Sequence, residues 1–168
     1  MATGVVYYSR SDNTRTGAEY LAERVGAELI ELVEKKGRSG LVGFIKSGYQ
    51  AVSGKKSQLV GAPWKEAEKF SSLYLLTPIW GGKITPAMNA FLEQAQFKGR
   101  DITVITFQAD AKGAGSKEAY STIRHTVESS GGTFLGGYAM HSTAPGRYAG
   151  KEYIEKQLDE KYFSLANI

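Results

Sequence analysis

Short apolar runs and longer amphipathic stretches alternate along this chain. Val5-Val6-Tyr7-Tyr8 is apolar and β-favouring without polar interruption, as expected of a strand buried on both faces. From Asn13 to Val25 the apolar residues Ala18, Leu21, Ala22 and Val25 mark one face of a helix. Glu28 to Val33 reads as a second strand, and Leu73 to Leu76, leading into Thr77-Pro78, as a third, which Pro78 is expected to end. Pro86 to Ala95 is helical, with Met88, Phe91, Leu92 and Ala95 on one side and proline in the first turn. Ile102 to Phe107 reads as the fourth strand. Lys117 to Ser130 is a helix with Tyr120, Ile123 and Val127 in register, stopped by Gly131-Gly132. Thr133 to Met140 is a fifth strand, weakened by Gly136-Gly137. Lys151 to Leu165 closes the chain as a helix with Ile154, Leu158, Tyr162 and Leu165 directed inward.

Strand followed by helix, repeated in this way, predicts a parallel sheet with helices on both faces. Between the second and third strands, Leu41, Ile45, Tyr49 and Val52 have helical spacing between Gly40 and Gly54. A loose connection from Lys55 to Glu66 is expected after them. The sequence contains no internal repeat and no linker, so residues 1–168 are read as a single domain.

Composition narrows the classes. Hydrophobic residues make up 42% and charged residues 23%, which is globular rather than disordered. No apolar run reaches the roughly 18 to 20 residues of a membrane span. The start of the chain lacks a basic region followed by an apolar stretch, so a cytoplasmic location is expected. With no cysteine, disulfides, thiolate metal sites and a cysteine nucleophile are excluded.

The net charge is +4, and it is unevenly placed. Lys35, Lys36, Arg38, Lys46, Lys55, Lys56 and Lys65 are accompanied by no Asp or Glu over that stretch. A solvated basic surface accounts for this. So does a docking face for an acidic protein, a phosphorylated dinucleotide or an anionic substrate. Nucleic acid is not expected, since no signature of a nucleic-acid module is present.

The loop after the first strand reads Ser9-Arg10-Ser11-Asp12-Asn13-Thr14. It is neither the G-x-G-x-x-G turn nor the Walker loop. It leads directly into a helix N-terminus, whose free N–H groups and dipole suit an anion. Ser9, Ser11, Asn13 and Thr14 add three hydroxyls and an amide, with Arg10 close by. Helix capping favours the same residue types and is the competing account. After the third strand comes Thr77-Pro78-Ile79-Trp80-Gly81-Gly82. An aromatic beside two glycines at the carboxyl end of a parallel strand is placed to stack on a flat ring. Ordinary packing would also explain Trp80. In open α/β sheets the ligand lies at this edge, where the strand order reverses.

These motifs, in this order, resemble the flavodoxin family over nearly the whole chain. Ser9 to Thr14 is similar to that family's phosphate loop, [T/S]-x-[T/S]-G-x-T. Thr77 to Gly82 resembles its first flavin-ring loop, and Thr106-Phe107-Gln108-Ala109-Asp110 stands where the second belongs. Gly48-Tyr49-Gln50-Ala51 followed by Gly54-Lys55 resembles a stretch of a bacterial and archaeal subgroup. The resemblance implies a flavodoxin-like three-layer α/β sandwich, with a five-stranded parallel sheet in the order 2-1-3-4-5. It implies flavin mononucleotide (FMN) as cofactor. Ser9, Arg10, Ser11, Asn13 and Thr14 would hold the phosphate; Pro78, Ile79, Trp80, Gly81, Gly82, Phe107, Gln108 and Asp110 would hold the ring. Trp80 would flank one ring face. Phe107 would flank the other, or belong to the core. Lys83 is a candidate to stabilise a reduced, anionic ring, or is simply solvated. Asp12 departs from the pattern, where the family has glycine; its carboxylate would weaken phosphate binding unless it points outward or pairs with Arg10 or Arg15. The basic charge is a second departure, since the family's electron carriers are commonly acidic.

The implied function is FMN-based electron transfer to a redox partner protein. Two alternatives stand beside it. One is an FMN-dependent oxidoreductase passing electrons from NAD(P)H to a quinone-like acceptor. The other is a binding or regulatory module of the same fold without flavin. No protein nucleophile is needed, no metal-ligand spacing occurs, and no G-x-S-x-G turn is present. His125 is expected on a helix surface. His141 opens the segment to Tyr148, which either lines an acceptor site or is a plain turn.

Overall fold

The run Val5-Val6-Tyr7-Tyr8 has no polar face because both of its faces are covered. Val5 and Tyr7 belong to one hydrophobic core and Val6 and Tyr8 to another, on opposite sides of the sheet. The computed structural model describes residues 2–35 and 56–166. Its elements run β1 (Thr3–Tyr7), α1 (Asn13–Val25), β2 (Glu28–Glu31), α2 (Pro63–Ala67), β3 (Ser72–Trp80), β4 (Lys83–Ile84), α3 (Pro86–Gln94), β5 (Asp101–Gln108), α4 (Ser116–Ser129), β6 (Thr133–His141) and α5 (Lys151–Leu158). A π-helical turn, Asp159–Phe163, and a short α6, Ser164–Ala166, follow.

The sheet order is β2-β1-β3-β5-β6, all parallel, with β4 paired antiparallel to the end of β3. Setting β4 aside, this is the expected 2-1-3-4-5 plan. One core lies beneath α3 and α4, where Met88, Phe91, Ile123 and Val127 are fully buried. The other lies beneath α1 and α5, with Leu21, Ile154 and Leu158 fully buried. The result is a helix–sheet–helix sandwich.

Three expectations are corrected. Pro78 does not end β3: it pairs with Phe107 of β5, and the strand continues to Trp80. The Leu76 carbonyl accepts from Tyr8 N at 3.1 Å, and β1 turns away after that. Two residues on, Pro78 faces the same vacated edge, where a missing N–H costs nothing. The connection before β3 contains α2, too short at five residues to show a period. The final helix is interrupted: the π turn inserts one residue into the helical phase. Phe163 is therefore buried beside Tyr162, and Leu165 is carried outward to 70% exposure.

The glycine pair of β6 has a packing reason. A Cβ on Gly137 would come within 2.6 Å of the Tyr120 ring, so only glycine lets α4 lie this close. The register slips one residue between Ile102 and Thr103, which leaves Leu135 bulged and exposed. The helix expected over Leu41, Ile45, Tyr49 and Val52, and the motif from Gly48 to Lys55, lie outside the described residues. So do four of the seven cations; of the others, Lys35, Lys56 and Lys65 are exposed, and Lys56 pairs with Glu93 at 2.5 Å. Among the described residues no helix is long and apolar enough to cross a membrane.

Candidate functional site

The strand order reverses between β1 and β3, and the loops leaving their carboxyl ends form a cleft there. Its first wall is the segment from Ser9 to Thr14. The first helical bond of α1 runs from Thr16 N to Asp12 O at 2.9 Å, so the preceding amides have no partner within the helix. Asp12 adopts left-handed geometry (φ 60°, ψ −6°), the conformation a glycine would take without cost. Its carboxylate points out of the cleft to Arg15, 3.5 Å away, and it makes no capping bond. Capping therefore does not explain this turn.

Two side chains of the wall differ sharply. The Ser9 hydroxyl is buried and has no hydrogen-bond partner among the described residues, an expensive state for a donor of this kind. Asn13 is buried and fully used. Its amide donates to Arg147 O at 2.7 Å, to Ser11 Oγ at 3.2 Å and to Ser142 O at 3.5 Å, while its oxygen accepts from Ala149 N at 2.8 Å. Its side chain thus ties α1 to the loop after β6.

The second wall is the end of β3. Trp80 is half-buried, with Tyr8 edge-on at 5.8 Å and the Arg10 guanidinium over its ring at 5.9 Å. Gly81 and Gly82 have φ of 57° and 78°, a two-residue hairpin between Trp80 and Lys83 that requires positive φ at both positions. The hairpin fixes where Trp80 stands. Lys83 is ion-paired with Glu118 of α4.

The third wall follows β5. Gln108 is buried; its oxygen accepts from Ser116 Oγ at 2.5 Å and its nitrogen donates to Asp110 O at 3.0 Å. The Asp110 carboxylate accepts from Lys112 N and Ala114 N at 3.0 and 2.8 Å, which holds its carboxyl below the usual value. It shapes the turn into α4. Thr106 bonds both Ser116 and Tyr120, and burial raises the Tyr120 hydroxyl. The Phe107 ring packs in the core against Gly17.

Of the expected site residues, Arg10, Ser11, Asn13, Thr14, Pro78, Ile79, Trp80, Phe107 and Gln108 line one cleft. Ser9, Gly81, Gly82 and Asp110 are not part of its lining. They stand directly next to it in the chain: Ser9 at the start of the first wall, the glycines at the hairpin tip, Asp110 in the turn after the third wall. A fourth wall, residues 142–146, lies in the segment from His141 to Tyr148 that the sequence offered either as the lining of an acceptor site or as a plain turn, though not among the cofactor residues. Its signals were the Pro145-Gly146 turn and its place after the last parallel strand. Thr143 there has φ 59°, a strained conformation for a β-branched residue. His141 is not in the lining; its Nδ1 lies 2.5 Å from the Tyr153 hydroxyl. His125 is exposed on α4, as expected. No cluster able to hold a metal occurs among the described residues.

No protein-family model matches the chain. No curated protein matches it in sequence. Solved structures do. A candidate flavoprotein of Bacteroides uniformis aligns with a TM-score of 0.72 at 17% identity, over 94% of this chain and 97% of that one. A flavoprotein of Lactobacillus acidophilus, solved in complex with FMN, aligns at 0.63 and 19% over 82% and 91%. Oxidised flavodoxin 1 of Bacillus cereus aligns at 0.58 and 16% over 95% and 94%. The chain has the flavodoxin-like fold, and its cleft lies where that fold carries ligands.

Proposed function

We propose that the cleft binds FMN and that the protein transfers electrons through it to a redox partner. The carrying observation is the Ser9 hydroxyl, buried without a partner at a left-handed turn that precedes a helix N-terminus. A phosphate oxygen is the acceptor such a donor lacks, and the adjacent amides of α1 are the donors a phosphate needs. The residues present fit the group. Ser9, Ser11 and Thr14, with the first amides of α1, would hold the phosphate. Trp80 would flank the ring, with Pro78, Ile79, the hairpin glycines and the residues around Gln108 around its edge. Bound FMN supplies the redox chemistry, and the protein supplies position and electrostatics. The Lactobacillus acidophilus likeness, bound to FMN, supports this reading.

Titration with FMN and with riboflavin tests it. The two differ only by the phosphate, so FMN is expected to bind at least tenfold more tightly by quenching of flavin fluorescence. Equal affinities, or none, would remove the phosphate site and the proposal with it.

Asp12→Gly is expected to tighten FMN binding about threefold and to leave riboflavin unchanged. The like charge near the phosphate is worth on the order of 1 kcal/mol in water-like surroundings, and its exposure and Arg15 offset part of that. Isothermal titration of both ligands against the variant measures the difference.

A second reading is an oxidoreductase taking electrons from NAD(P)H to a quinone-like acceptor. The observation favouring it is the sign of the charge in the lining, where Arg10 is the charged side chain among the described residues.

A further inference from the structure

We infer that Gln108 donates a hydrogen bond to the flavin ring, and that three hydroxyls outside the cleft, those of Ser116, Thr106 and Tyr120, hold it in that role. The inference rests on the FMN reading above. Gln108 lines the cleft and is only 4% exposed. Its oxygen accepts from Ser116 Oγ, and one of its two N–H groups goes to Asp110 O. The second N–H has no partner among the described residues, which leaves one donor in the lining for a ligand to satisfy. The amide stands at the ring end. A Cβ on Gly115 would lie 3.4 Å from the amide oxygen, 3.6 Å from Ile79 Cγ2 and 3.9 Å from Gly82 Cα, which sets the amide beside the hairpin that follows Trp80. The oxidised flavin ring offers carbonyl oxygens and unprotonated nitrogens, the acceptors that such a donor lacks.

The orientation of the amide follows from counting hydrogens. Asp110 O is a carbonyl and can only accept, and it already takes Gly113 N at 3.2 Å, so the amide nitrogen must face it. The amide oxygen then faces Ser116, whose single hydrogen is committed to it at 2.5 Å. The contact of Ser116 with Thr106 at 2.6 Å therefore takes its hydrogen from Thr106, and that of Thr106 with Tyr120 at 2.8 Å takes it from Tyr120. The other acceptor near Thr106, Tyr138 O, is farther away at 3.5 Å. Burial raises the Tyr120 hydroxyl, so it keeps the hydrogen that starts the chain. Donation runs one way, from Tyr120 to Thr106 to Ser116 to Gln108, and each bond supports the next. None of the three hydroxyl residues lines the cleft. They reach the ring only through Gln108, as positioning residues. A flipped amide would set two acceptors face to face at Asp110 O, so the free N–H is fixed in place.

The test reads affinity for FMN and for riboflavin by quenching of flavin fluorescence, beside urea unfolding of each variant. Both ligands carry the ring, so loss of a ring donor affects them equally. Gln108→Met keeps the length of the side chain without the N–H. It is expected to weaken both ligands by about three- to tenfold and to leave their ratio unchanged. Gln108→Glu is expected to lose at least as much, since any proton it holds is claimed by Asp110 O. Ser116→Ala is expected to weaken both ligands about threefold in the wild-type background and to have no further effect beside Gln108→Met. A merely structural Ser116 would instead give the same loss in both backgrounds. Riboflavin affinity unchanged in folded Gln108→Met and Gln108→Glu proteins would overturn the inference. So would a loss confined to FMN, or additive losses in the double-mutant cycle. Failure of the wild type to bind either flavin is seen in the first reading and removes the FMN proposal together with this one.

Discussion

Asn13→Ala is expected to destabilise the protein by about 1 to 3 kcal/mol and to weaken FMN binding at least tenfold. The side chain is buried, and it joins the N-terminus of α1 to residues 142–149 by three hydrogen bonds. Alanine leaves the Ala149 N–H and the Arg147 carbonyl without their partner; both bonds are part-buried, so water offsets some of the loss and about 1 to 3 kcal/mol in total is expected. The cleft then loses one wall. The strain stored at Thr143 acts in the same direction, because a released loop relaxes away from φ 59°. Urea unfolding at constant slope measures the stability, and flavin fluorescence the affinity. A midpoint shift worth under 1 kcal/mol would mean that the loop is held by other contacts.

Trp80→Ala is expected to weaken FMN binding by roughly ten- to a hundredfold. Stacking of a flat heterocycle on an aromatic side chain is worth about 1 to 3 kcal/mol. The fold should tolerate the change better than the ligand does. Trp80 is half-buried at the margin of the core, and its ring contact there is one edge-on pair with Tyr8, worth about 1 kcal/mol. Trp80→Phe keeps a ring and should recover most of the affinity. Binding measured by calorimetry, beside the melting temperature of each variant, separates the two effects. Equal affinity for wild type and Trp80→Ala would place the ring elsewhere in the cleft.

The architecture was readable in the chain because its signals are long. The stripe of Ala18, Leu21, Ala22 and Val25 defines α1 to the residue, and the unbroken apolar runs mark strands covered on both sides. What escaped depends on contacts between distant segments. Pro78 looks like a strand end in sequence, and only the departure of β1 shows why it is tolerated. The one-residue slip that exposes Leu165 arises from the packing of Tyr162 and Phe163, which no period reveals. The two-residue strand β4 is equally invisible until Gly81 and Gly82 are seen to make a hairpin.

The site divides in the same way. Motif and position brought three walls together, and position alone offered the fourth as one of two readings. The roles within them required geometry. Ser9 and Asn13 look alike as polar loop residues, yet one hydroxyl is orphaned and the other side chain is saturated. Asp12 reads as an obstacle in the motif. In space it supplies the turn that glycine would supply, and it turns its charge to Arg15. Gln108 and Asp110, expected at the ring, spend their side chains on the turn into α4. The fourth wall, residues 142–146, carries no motif at all and is held in place by Asn13, more than a hundred residues earlier.

The most direct measurement is the visible absorption spectrum of the purified protein, mixed with excess FMN and then desalted. Flavin bands that elute with the protein, shifted from those of free FMN, are the predicted result. A colourless protein fraction, with all of the FMN recovered separately, would contradict the account.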